Sequence, residues 1–572
     1  MHGNYPSSYH HPTGLILTDE RIQERDLDKF PITDRSLIDY ERYHQHVGHA
    51  GVKWSVAMQA TRGCPYKCFY CDIYKTTKNH YRRTDEHLFR ELDLLYDCGV
   101  RRIEFIDDIF NVNTKGFRRF FEYVLKRNYK IQFFFPTGLK GDLLTKDLID
   151  LMVEGGSVGV NLSLEHASPR LQKVMRKGLD VLKLRENLDY ITQKYPKVIL
   201  TLNAMHGFPT ETEDEAYETL DFILDTQWID FPYLHNVRIF PGTELEHFAL
   251  EVGIPEELIR ESQDMSYHEK SPTLPFSADF TNAVRMRFMK EYVLNRDRLK
   301  NRISNQLLNF TIDELDQRYS AYFPSASVRS LQDVLRIAQL SLSDVIPKQP
   351  FDELSVIPLE INRRFQEAFP KKLAKKNFKL MLVDLSSYYE DSTNTREYNV
   401  LEPPLGLMVL QTYLAHTFDD EIDCLILKSR IDFNSSEELC SLVDAFSPDL
   451  IGMRAMTFYQ RLFHDSVRDL RRSGVKAPII VGGPYPTASY KDIIFDRNID
   501  LVCVGEGETT LADVVRAMRE NGNMLPSQAK LLTIPGLAFY SEGLTSRRRH
   551  DPDDWKRVVI PKSRKLDQVS FS

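Results

Sequence analysis

Two separate stretches of the chain show apolar, β-prone runs that alternate with amphipathic helical stretches, and this repeated alternation restricts the possible folds more than any other feature. In the first stretch the predicted strands span residues 54–60, 101–107, 130–136, 157–165, 197–207 and 233–240. In the second stretch they span residues 378–386, 421–427, 448–455, 478–483, 499–508 and 535–540. Because such β-then-α units with continuous apolar strands indicate parallel sheets covered by helices, we predict two α/β domains.

The two domains are predicted to differ in form. Right-handed crossovers would curl the six units of residues 50–260 into a partial (β/α)6 barrel of the TIM type. Residues 376–545 are typical of a Rossmann-like, doubly wound sheet with glycine-bearing loops after several strands. Residues 261–375 lack strand signals and are predicted to form a helical connector or cap. The expected flanking segments are an N-terminal extension, 1–49, and a C-terminal tail, 546–572.

Composition excludes several functional classes. A length of 572 residues suits two or three domains, and 42% hydrophobic with 27% charged residues is typical of a globular protein. A net charge of -8 gives no general attraction to nucleic acids or anionic membranes. No apolar run reaches the roughly 18 residues that a membrane span requires, and the N-terminus lacks a secretion signal. Seven cysteines are too few for a disulfide scaffold, so we expect a reducing, cytoplasmic location.

Three cysteines are concentrated in the segment RGCPYKCFYCDIY, directly after the first predicted strand. Cys64, Cys68 and Cys71 have the spacing C-x3-C-x2-C, which lets one short loop place three thiolates around a small iron–sulfur cluster. A structural zinc site, the alternative, normally has four ligands in two pairs, and no second pair follows. Three thiolates on a four-iron cluster leave one iron open for another molecule. The other cysteines, Cys98, Cys424, Cys440 and Cys503, are scattered and predict no further cluster.

The cysteine segment resembles the signature of the radical SAM (S-adenosylmethionine) superfamily, CxxxCxxC with an aromatic residue before the last cysteine. The segments FIDDIF, SLEHASPRLQKVMRKG, HGFPTETEDEAYETLDFI and IFPGTEL are similar to further superfamily motifs in the same order. Thr210 replaces the glycine that is usual in the third of these segments. The resemblance implies a 4Fe–4S cluster on the three cysteines and reductive cleavage of SAM to a 5′-deoxyadenosyl radical. It also implies a flavodoxin- or ferredoxin-type electron donor.

Within this resemblance, the residues that hold SAM lie near the carboxyl ends of the strands. Main-chain groups near Tyr70 are expected to hold the adenine. The side chains expected to contact the ribose and the methionyl moiety are Asp108, Ser163, Glu165 and Asn203. Each of them could equally be an ordinary polar residue at a strand end. The sequence identifies no residue that donates or accepts a hydrogen atom.

Three glycine-bearing loops of the second domain predict a large ligand near the main chain. These loops, EPPLGLMVL, VGGPYPT and VGEGETT, together with SPDLIGMRA resemble the cobalamin-binding domain that is often fused to radical SAM cores. The cobalamin-binding residues that this resemblance implies are Pro404, Leu405, Gly406, Met456, Thr457, Gly482, Gly483, Thr487, Gly505, Glu506, Gly507 and Glu508. The histidine motif D-x-H-x-x-G is absent, and His464 lies in the unrelated context LFHDSV. We therefore expect cobalamin to bind above residues 456–460 without a histidine ligand.

The combination of cofactors implies methyl transfer to an unactivated sp3 carbon, with two molecules of SAM consumed per turnover. The first alternative is a radical oxidation, cyclisation or rearrangement without methyl transfer. An alternative from another class is a cobalamin-sensing binding protein, which the intact cysteine triad disfavours. The substrate, a small molecule or a peptide, is not readable from the sequence.

The order of the two domains is reversed relative to most proteins of this kind, in which the cobalamin domain comes first. Similar segments, beginning at Gly14 and at Gly536, occur near the two ends of the chain. This repetition is expected if the domains were permuted through a tandem copy. Since permutation requires neighbouring ends, we predict that the two ends of the chain lie close together.

Overall fold

The computed structural model describes residues 9–10, 14–73, 77, 79–263, 275–323, 328–390, 400–494 and 496–541. Its strands are β1 Tyr9–His10, β2 Leu15–Leu17, β3 Ser55–Met58, β4 Thr61–Arg62, β5 Tyr81–Arg82, β6 Arg102–Phe105, β7 Gln132–Leu139, β8 Ser157–Glu165, β9 Ile199–His206, β10 Phe231–Asn236, β11 Phe378–Asp384, β12 Ile422–Lys428, β13 Leu450–Arg454, β14 Ile479–Gly482, β15 Leu501–Cys503 and β16 Leu537–Tyr540. The predicted tail, 546–572, lies outside the described residues.

Helices follow most of these strands. They are α1 Tyr40–Tyr43, α2 Asp85–Asp97, α3 Thr114–Arg127, α4 Lys146–Glu154, α5 Pro169–Met175, α6 Val181–Lys194, α7 Glu213–Leu224, α8 Glu244–Glu251, α9 Glu256–Ser262, α10 Ala278–Phe288, α11 Arg296–Gln306, α12 Ile312–Tyr322, α13 Leu331–Ile337, α14 Ile361–Ala368, α15 Leu405–Thr417, α16 Ser436–Phe446, α17 Gln460–Arg472, α18 Pro484–Ile493, α19 Glu508–Glu520 and α20 Gln528–Leu531. A π-helical segment, Met289–Val293, extends α10.

The first sheet is parallel throughout and has the strand order β10-β9-β8-β7-β6-β3. Consecutive strands are neighbours, as in a barrel that has opened between its first and last strands. All six predicted strands are present, with bounds that differ by a few residues. The predicted partial barrel is therefore confirmed. The carboxyl ends of all six strands lie at one end of the barrel, where α/β barrels carry their functional groups.

Aromatic residues explain how the helices are attached to this barrel. Helix α3 begins after Asn113, whose side chain accepts a hydrogen bond from the Gly116 N–H, and ends at Asn128 in a left-handed conformation. Its buried positions Phe117, Phe120, Phe121 and Val124 repeat at helical spacing and form one apolar face. Phe120 meets Phe105 of β6 edge to face, with ring centroids 5.2 Å apart. Such buried aromatic contacts keep the helix layer firmly on the sheet.

The second sheet combines a parallel centre with antiparallel additions. Its parallel strands have the order β12-β11-β13-β14-β15, and β16, β2 and β1 follow in antiparallel fashion. The order reverses at β11, so that β12 and β13 lie on either side of it. Ligands of open α/β sheets bind beyond the carboxyl ends of the strands near such a reversal. The predicted Rossmann-like domain is confirmed.

The two ends of the described chain meet in this second sheet. Strand β2 pairs with β16 through Leu17 and Ala538, Ile16 and Phe539, and Leu15 and Tyr540. The Thr18 hydroxyl adds a hydrogen bond to the Leu537 carbonyl at 3.2 Å. This pairing shows that the two ends of the described part of the chain lie close together, as predicted for the termini, which themselves lie outside the described residues. It also places a strand from the predicted N-terminal extension inside the sheet of the C-terminal domain.

Helices α10 to α14 occupy the region between the two sheets in the sequence, as expected for a helical connector. Arg102 of β6 and Glu314 of α12 form an ion pair that is fully buried between barrel and connector. Within the described ranges, no helix combines the length and the apolar character that a bilayer crossing requires.

Candidate active site

The cysteine loop begins at the carboxyl end of the barrel and is held by a short hairpin. Strand β4 pairs with β5 through Thr61 and Arg82, so that the loop leaves and returns at one place. Gly63 lies in the hairpin with a φ of +81°, and a Cβ there would be 2.0 Å from the Asn79 carbonyl oxygen. Only glycine fits this position. Its N–H donates a 2.9 Å hydrogen bond to the Asp108 carboxylate, which brings one predicted SAM residue to the cysteines.

A second carboxylate, that of Asp107, binds the start of the cysteine loop. Asp107 is 1% exposed and accepts hydrogen bonds from the Ala60 N–H at 3.0 Å and the Thr61 hydroxyl at 2.5 Å. The Thr61 N–H also donates to this carboxylate. Burial raises the pKa of Asp107 to about 7. Main-chain N–H groups and the Thr61 hydroxyl at the start of the loop occupy this carboxylate, so we assign it a structural role.

The middle of the loop is fastened by an aromatic residue. The Phe69 N–H donates to the Met175 carbonyl at 2.9 Å, and the Phe69 carbonyl accepts from the Leu245 N–H at 3.1 Å. The Phe69 ring contacts Phe208 and Phe248 at centroid distances of 6.4 and 5.6 Å. Cys64, Cys68 and Cys71 therefore lie on a loop attached to three further elements of the barrel.

The donor set fits an iron–sulfur cluster. All three thiols are free and partly exposed. Burial raises the pKa of Cys71 to about 12, so a bound cation would be needed to keep it as a thiolate. No group of three His, Cys, Asp or Glu side chains in the described part of the chain is placed to hold a single metal ion. A four-iron cluster takes one thiolate per iron and needs separated sulfur atoms instead.

The other predicted SAM residues lie along the inner face of the barrel beside the loop. The Lys177 Nζ is 2.6 Å from Glu165 Oε1 and 3.5 Å from the Tyr70 hydroxyl. Strand β8 ends at Glu165, which has a φ of +63° and follows a register shift after Ser163. The Asn203 Nδ2 donates to Asn161 Oδ1 at 3.1 Å. Asn161 lies two residues before Ser163 on β8 and is therefore further from the carboxyl end of the strand. Lys177 was missed by the sequence reasoning, although it lies in the quoted segment that ends in KG.

The glycine loops of the second domain surround a cavity of about 360 Å³. Of the residues predicted to bind cobalamin, those that line the cavity are Leu405, Gly406, Gly482, Gly483, Gly505, Glu506, Gly507 and Glu508. A Cβ on Gly406 or Gly505 would meet no atom within 4 Å and would extend into open space. The cradle therefore has the room that a planar macrocycle requires near the main chain. The helices α15 and α19 begin at this cavity and lack side-chain caps, which leaves first-turn N–H groups for a ligand. Helix α18 also begins here, but Pro484 and Pro486 carry no N–H and the Tyr485 N–H donates to the Ala455 carbonyl.

Four predicted cobalamin residues do not line this cavity. Pro404 precedes α15, and Thr457 is 5% exposed at the start of a short 3-10 helix. The Met456 sulfur lies 3.4 Å from an Arg454 Nη2, and the Thr487 hydroxyl accepts a hydrogen bond from the Gly505 N–H at 3.2 Å. The Thr487 side chain thus supports a cavity-lining loop by binding the main chain of that loop at Gly505.

Residues of the barrel close the same cavity from the opposite side. They are Gln59, Arg62, Thr77, Ile106 and Asp108. Two of them, Arg62 and Asp108, also flank the cysteine loop. The Arg62 Nη2 lies 2.6 Å from Glu508 Oε1, and its Nη1 lies 3.6 Å from Glu506 Oε1. The sequence reasoning missed Arg62, and only its position before the GC of the motif could have indicated it.

His464 lies outside this cavity. Its Nδ1 is 2.8 Å from an Asp496 carboxylate oxygen, and its Nε2 is 3.0 Å from the Tyr485 hydroxyl. Both ring nitrogens therefore have protein partners. The binding of cobalamin without a histidine ligand stays a prediction.

Comparison with known families agrees with the two cofactor sites. Residues 58–223 match the radical SAM superfamily, and residues 392–515 match the B12-binding domain. These matches confirm the predicted order, with the radical SAM domain first. A radical SAM domain implies a 4Fe–4S cluster and SAM, and a B12-binding domain implies cobalamin.

Curated relatives match only part of the chain. An uncharacterized methyltransferase of Pyrococcus horikoshii is 26% identical over 230 residues, which cover 40% of this chain and 48% of the relative. A tRNA-2-methylthio-N(6)-dimethylallyladenosine synthase of a Sulfurihydrogenibium species is 24% identical over 241 residues, covering 41% of this chain and 54% of the relative. The chain thus spans about half the length of the curated relatives it matches.

Two cobalamin enzymes of known structure match parts of this chain. The radical SAM methyltransferase TsrM of Kitasatospora setae, solved with cobalamin and a [4Fe-4S] cluster, has a TM-score of 0.32 at 17% identity, covering 37% of this chain and 38% of TsrM. The cobalamin-dependent SAM radical enzyme OxsB has a TM-score of 0.33 at 13% identity, covering 54% of this chain and 58% of OxsB.

Proposed function

We propose that this chain, a radical SAM enzyme that carries a B12-binding domain, transfers a methyl group from cobalamin to an unactivated sp3 carbon of its substrate. The observation that carries the proposal is the shared cavity of about 360 Å³. Arg62 and Asp108, beside the cysteine loop, line one side of it, and Gly406, Gly483 and Gly505 line the other. When bound, the cofactors supply a carbon-centred radical and a methyl group, and a shared cavity allows one substrate carbon to meet both.

The residues around the cavity have complementary tasks in this proposal. Cys64, Cys68 and Cys71 hold the cluster, and Asp108 with the Glu165–Lys177 pair binds polar groups of SAM. Because Lys177 Nζ lies 2.6 Å from Glu165 Oε1, the carboxylate is fixed in orientation and can still accept a further hydrogen bond. The cobalamin residues are those of the glycine loops, with Thr487 behind Gly505.

Part of the cavity wall is apolar and would limit access of water to the cofactors. Ile106 of the barrel and Leu382, Val409, Leu410 and Leu511 of the second domain supply apolar surface. A dry, closed site protects reactive species from quenching by solvent. The Arg62 ion pairs to Glu506 and Glu508 hold the two walls of the site together.

The proposal also includes a substrate and an electron donor. The substrate is a small molecule or a peptide, and the electron that starts each turnover comes from a flavodoxin- or ferredoxin-type donor. A cytoplasmic location follows from the need for reduced thiols at Cys64, Cys68 and Cys71.

Methyl-labelled SAM tests the proposed reaction with reconstituted full-length protein and extracts of its own host. We expect labelled product together with equal amounts of S-adenosylhomocysteine and 5′-deoxyadenosine. Production of 5′-deoxyadenosine alone would instead indicate a radical oxidation, cyclisation or rearrangement. Tight cobalamin binding with neither product would indicate a sensor.

The cysteine triad provides the matched control for this assay. The triple variant C64A/C68A/C71A should lose the bound iron, the brown charge-transfer absorption and all 5′-deoxyadenosine formation. The variant C440A, which changes a partly exposed cysteine on α16, should keep them. Undiminished absorption in the triple variant would refute the assignment of the cluster.

A further inference from the structure

A second cavity, of about 190 Å³, lies inside the barrel and apart from the shared cofactor cavity. Phe135, Val160 and Tyr233 give it apolar walls on three strands, and Asn161 and Thr201 add polar groups. These residues lie in the first halves of β7, β8 and β9 and midway along β10, away from the carboxyl ends that carry the cysteine loop. From Asn161 to Glu165, β8 rises about 13 Å toward the cysteine loop.

Arg318 of the connector helix α12 brings a positive charge to this cavity. Its Nη1 donates to the Ala50 carbonyl at 2.9 Å, its Nη2 lies 3.5 Å from the Thr201 hydroxyl, and its Cζ is 3.6 Å from the centroid of Phe231. Among the described residues, no carboxylate lies within ion-pair distance of this guanidinium. Burial lowers the pKa of Arg318, which expresses the cost of an uncompensated charge in this place.

Asp230 and Glu104 favour the charged form of Arg318 through space, and neither forms an ion pair with it. Asp230 accepts from the Leu200 N–H at 2.9 Å and lies 3.5 Å from Arg302 Nη1. Burial and the neighbouring Glu402 carboxylate raise the pKa of Glu104 to about 8, so that this side chain is mainly neutral at pH 7. A partly buried cation without a directly paired acid is destabilising, and an anionic ligand would offset that loss.

We propose that the barrel cavity binds a carboxylate of the substrate, with Arg318 as its counter-ion. This inference rests on the proposed function for the identity of the ligand as substrate. One guanidinium beside the apolar side chains of Phe135, Val160 and Tyr233 matches a monoanionic carboxylate on an aromatic or aliphatic body, and not a doubly charged phosphate. The inward-facing column Asn161, Ser163 and Glu165 leads from this cavity to the cysteine loop, so a substrate anchored at Arg318 can extend to the shared cavity.

Access to the cavity comes from the junction of the two domains. His49 lines the cavity and has a side chain that is 59% exposed. Its N–H donates to Glu402 Oε1 at 2.7 Å, and Glu402 is the first residue of the glycine loop EPPLGLMVL. The substrate would thus enter beside a residue of the cobalamin-binding domain.

Equilibrium binding tests the proposal without turnover. Phenylacetate and its neutral analogue phenylacetamide are titrated into reconstituted full-length protein by calorimetry, with no reductant present. We expect phenylacetate to bind at least about tenfold more tightly than the amide, because a charge-assisted hydrogen bond to Arg318 forms only with the acid. In R318Q this ratio should fall to about one, whereas the exposed control R336Q should keep it.

Three results would overturn the proposal. The first is equal affinity for the acid and the amide, which includes the case that neither binds. The second is a preference for the acid that persists in R318Q. The third is tighter binding of phenyl phosphate than of phenylacetate. If R318Q does not fold, the comparison of acid and amide in the wild-type protein decides the proposal. The variant R318K, which retains the charge, must then keep the preference for the acid. Because no turnover is required, these results are independent of the labelling assay, and either proposal can fail while the other stands.

Discussion

The Arg62 guanidinium forms an ion pair with the Glu508 carboxylate, at 2.6 Å, across the boundary between barrel and cobalamin-binding domain. Arg62 directly precedes the cysteine loop, and Glu508 begins helix α19 at the third glycine loop. The side chains are only 14% and 8% exposed, so their attraction is weakly screened by solvent. The pair therefore links the two cofactor sites mechanically as well as electrostatically.

Removal of this ion pair should weaken both stability and coupling. In E508Q we expect the free energy of unfolding in urea to fall by about 1–3 kcal/mol, since Arg62 is left partly buried without its nearest acid. The ratio of 5′-deoxyadenosine to methylated product should rise, because the two walls of the shared cavity are no longer held together. R516Q, which breaks an exposed pair with Asp513, should change stability by less than about 0.5 kcal/mol. A double-mutant cycle of R62Q and E508Q with no interaction energy would contradict this prediction.

Gly406 should affect cobalamin binding only sterically, by leaving room for the cofactor. Its missing side chain faces open space in the shared cavity, at the second position of α15. G406V should leave the free energy of unfolding within about 0.5 kcal/mol of wild type and weaken cobalamin binding at least about tenfold, because the branched side chain fills the cradle. G406A, with one added methyl group, should have a smaller effect on the bound cobalamin measured by absorbance. Full binding by G406V would place the corrinoid elsewhere.

His464 should have no influence on cobalt. Electron paramagnetic resonance of the bound cob(II)alamin form should show no splitting from a protein nitrogen, and H464N should give the same spectrum. The physical reason is that Asp496 and Tyr485 occupy both ring nitrogens. A nitrogen splitting that disappears in H464N would show that the histidine leaves these partners to ligate the metal.

Glu104 should make stability fall as the pH rises. Its side chain is 3% exposed, and burial followed by the charge of Glu402 raises its pKa from 4.5 to about 8. A carboxyl group whose pKa is raised by folding contributes stability that is complete below about pH 4.5 and is lost as the pH rises through about 8.

E104Q resembles the protonated side chain and should remove this loss. Relative to wild type, we expect it to unfold at higher urea concentration at pH 9, by a few kcal/mol at most, and to differ little near pH 4.5. The Ser55 hydroxyl and Ala50 N–H can still donate to the remaining oxygen. Identical pH profiles of E104Q and wild type would show that Glu104 is ionised throughout.

The local sequence pattern was sufficient to predict the strands of the two sheets and the three cysteine ligands of the cluster. Runs such as residues 157–165 and 378–386 became β8 and β11 because continuous apolar strands have few alternatives to a buried parallel sheet. Cys64, Cys68 and Cys71 are close in sequence, so a short loop brings them together in any fold of this class. The strand from Leu15 to Leu17 was not predicted as part of the second sheet, because its apolar run is too short to indicate a partner.

The sequence by itself determined the fold class and the two domains through periodicity, and its resemblance to known families implied the cofactors and the reversed domain order. Only the tertiary structure decided how the sites relate to each other. The Arg62–Glu508 pair, the shared cavity and the unpaired Arg318 each combine residues from distant parts of the chain. Their chemistry depends on burial and on distances of a few ångströms, and neither quantity is encoded in local spacing.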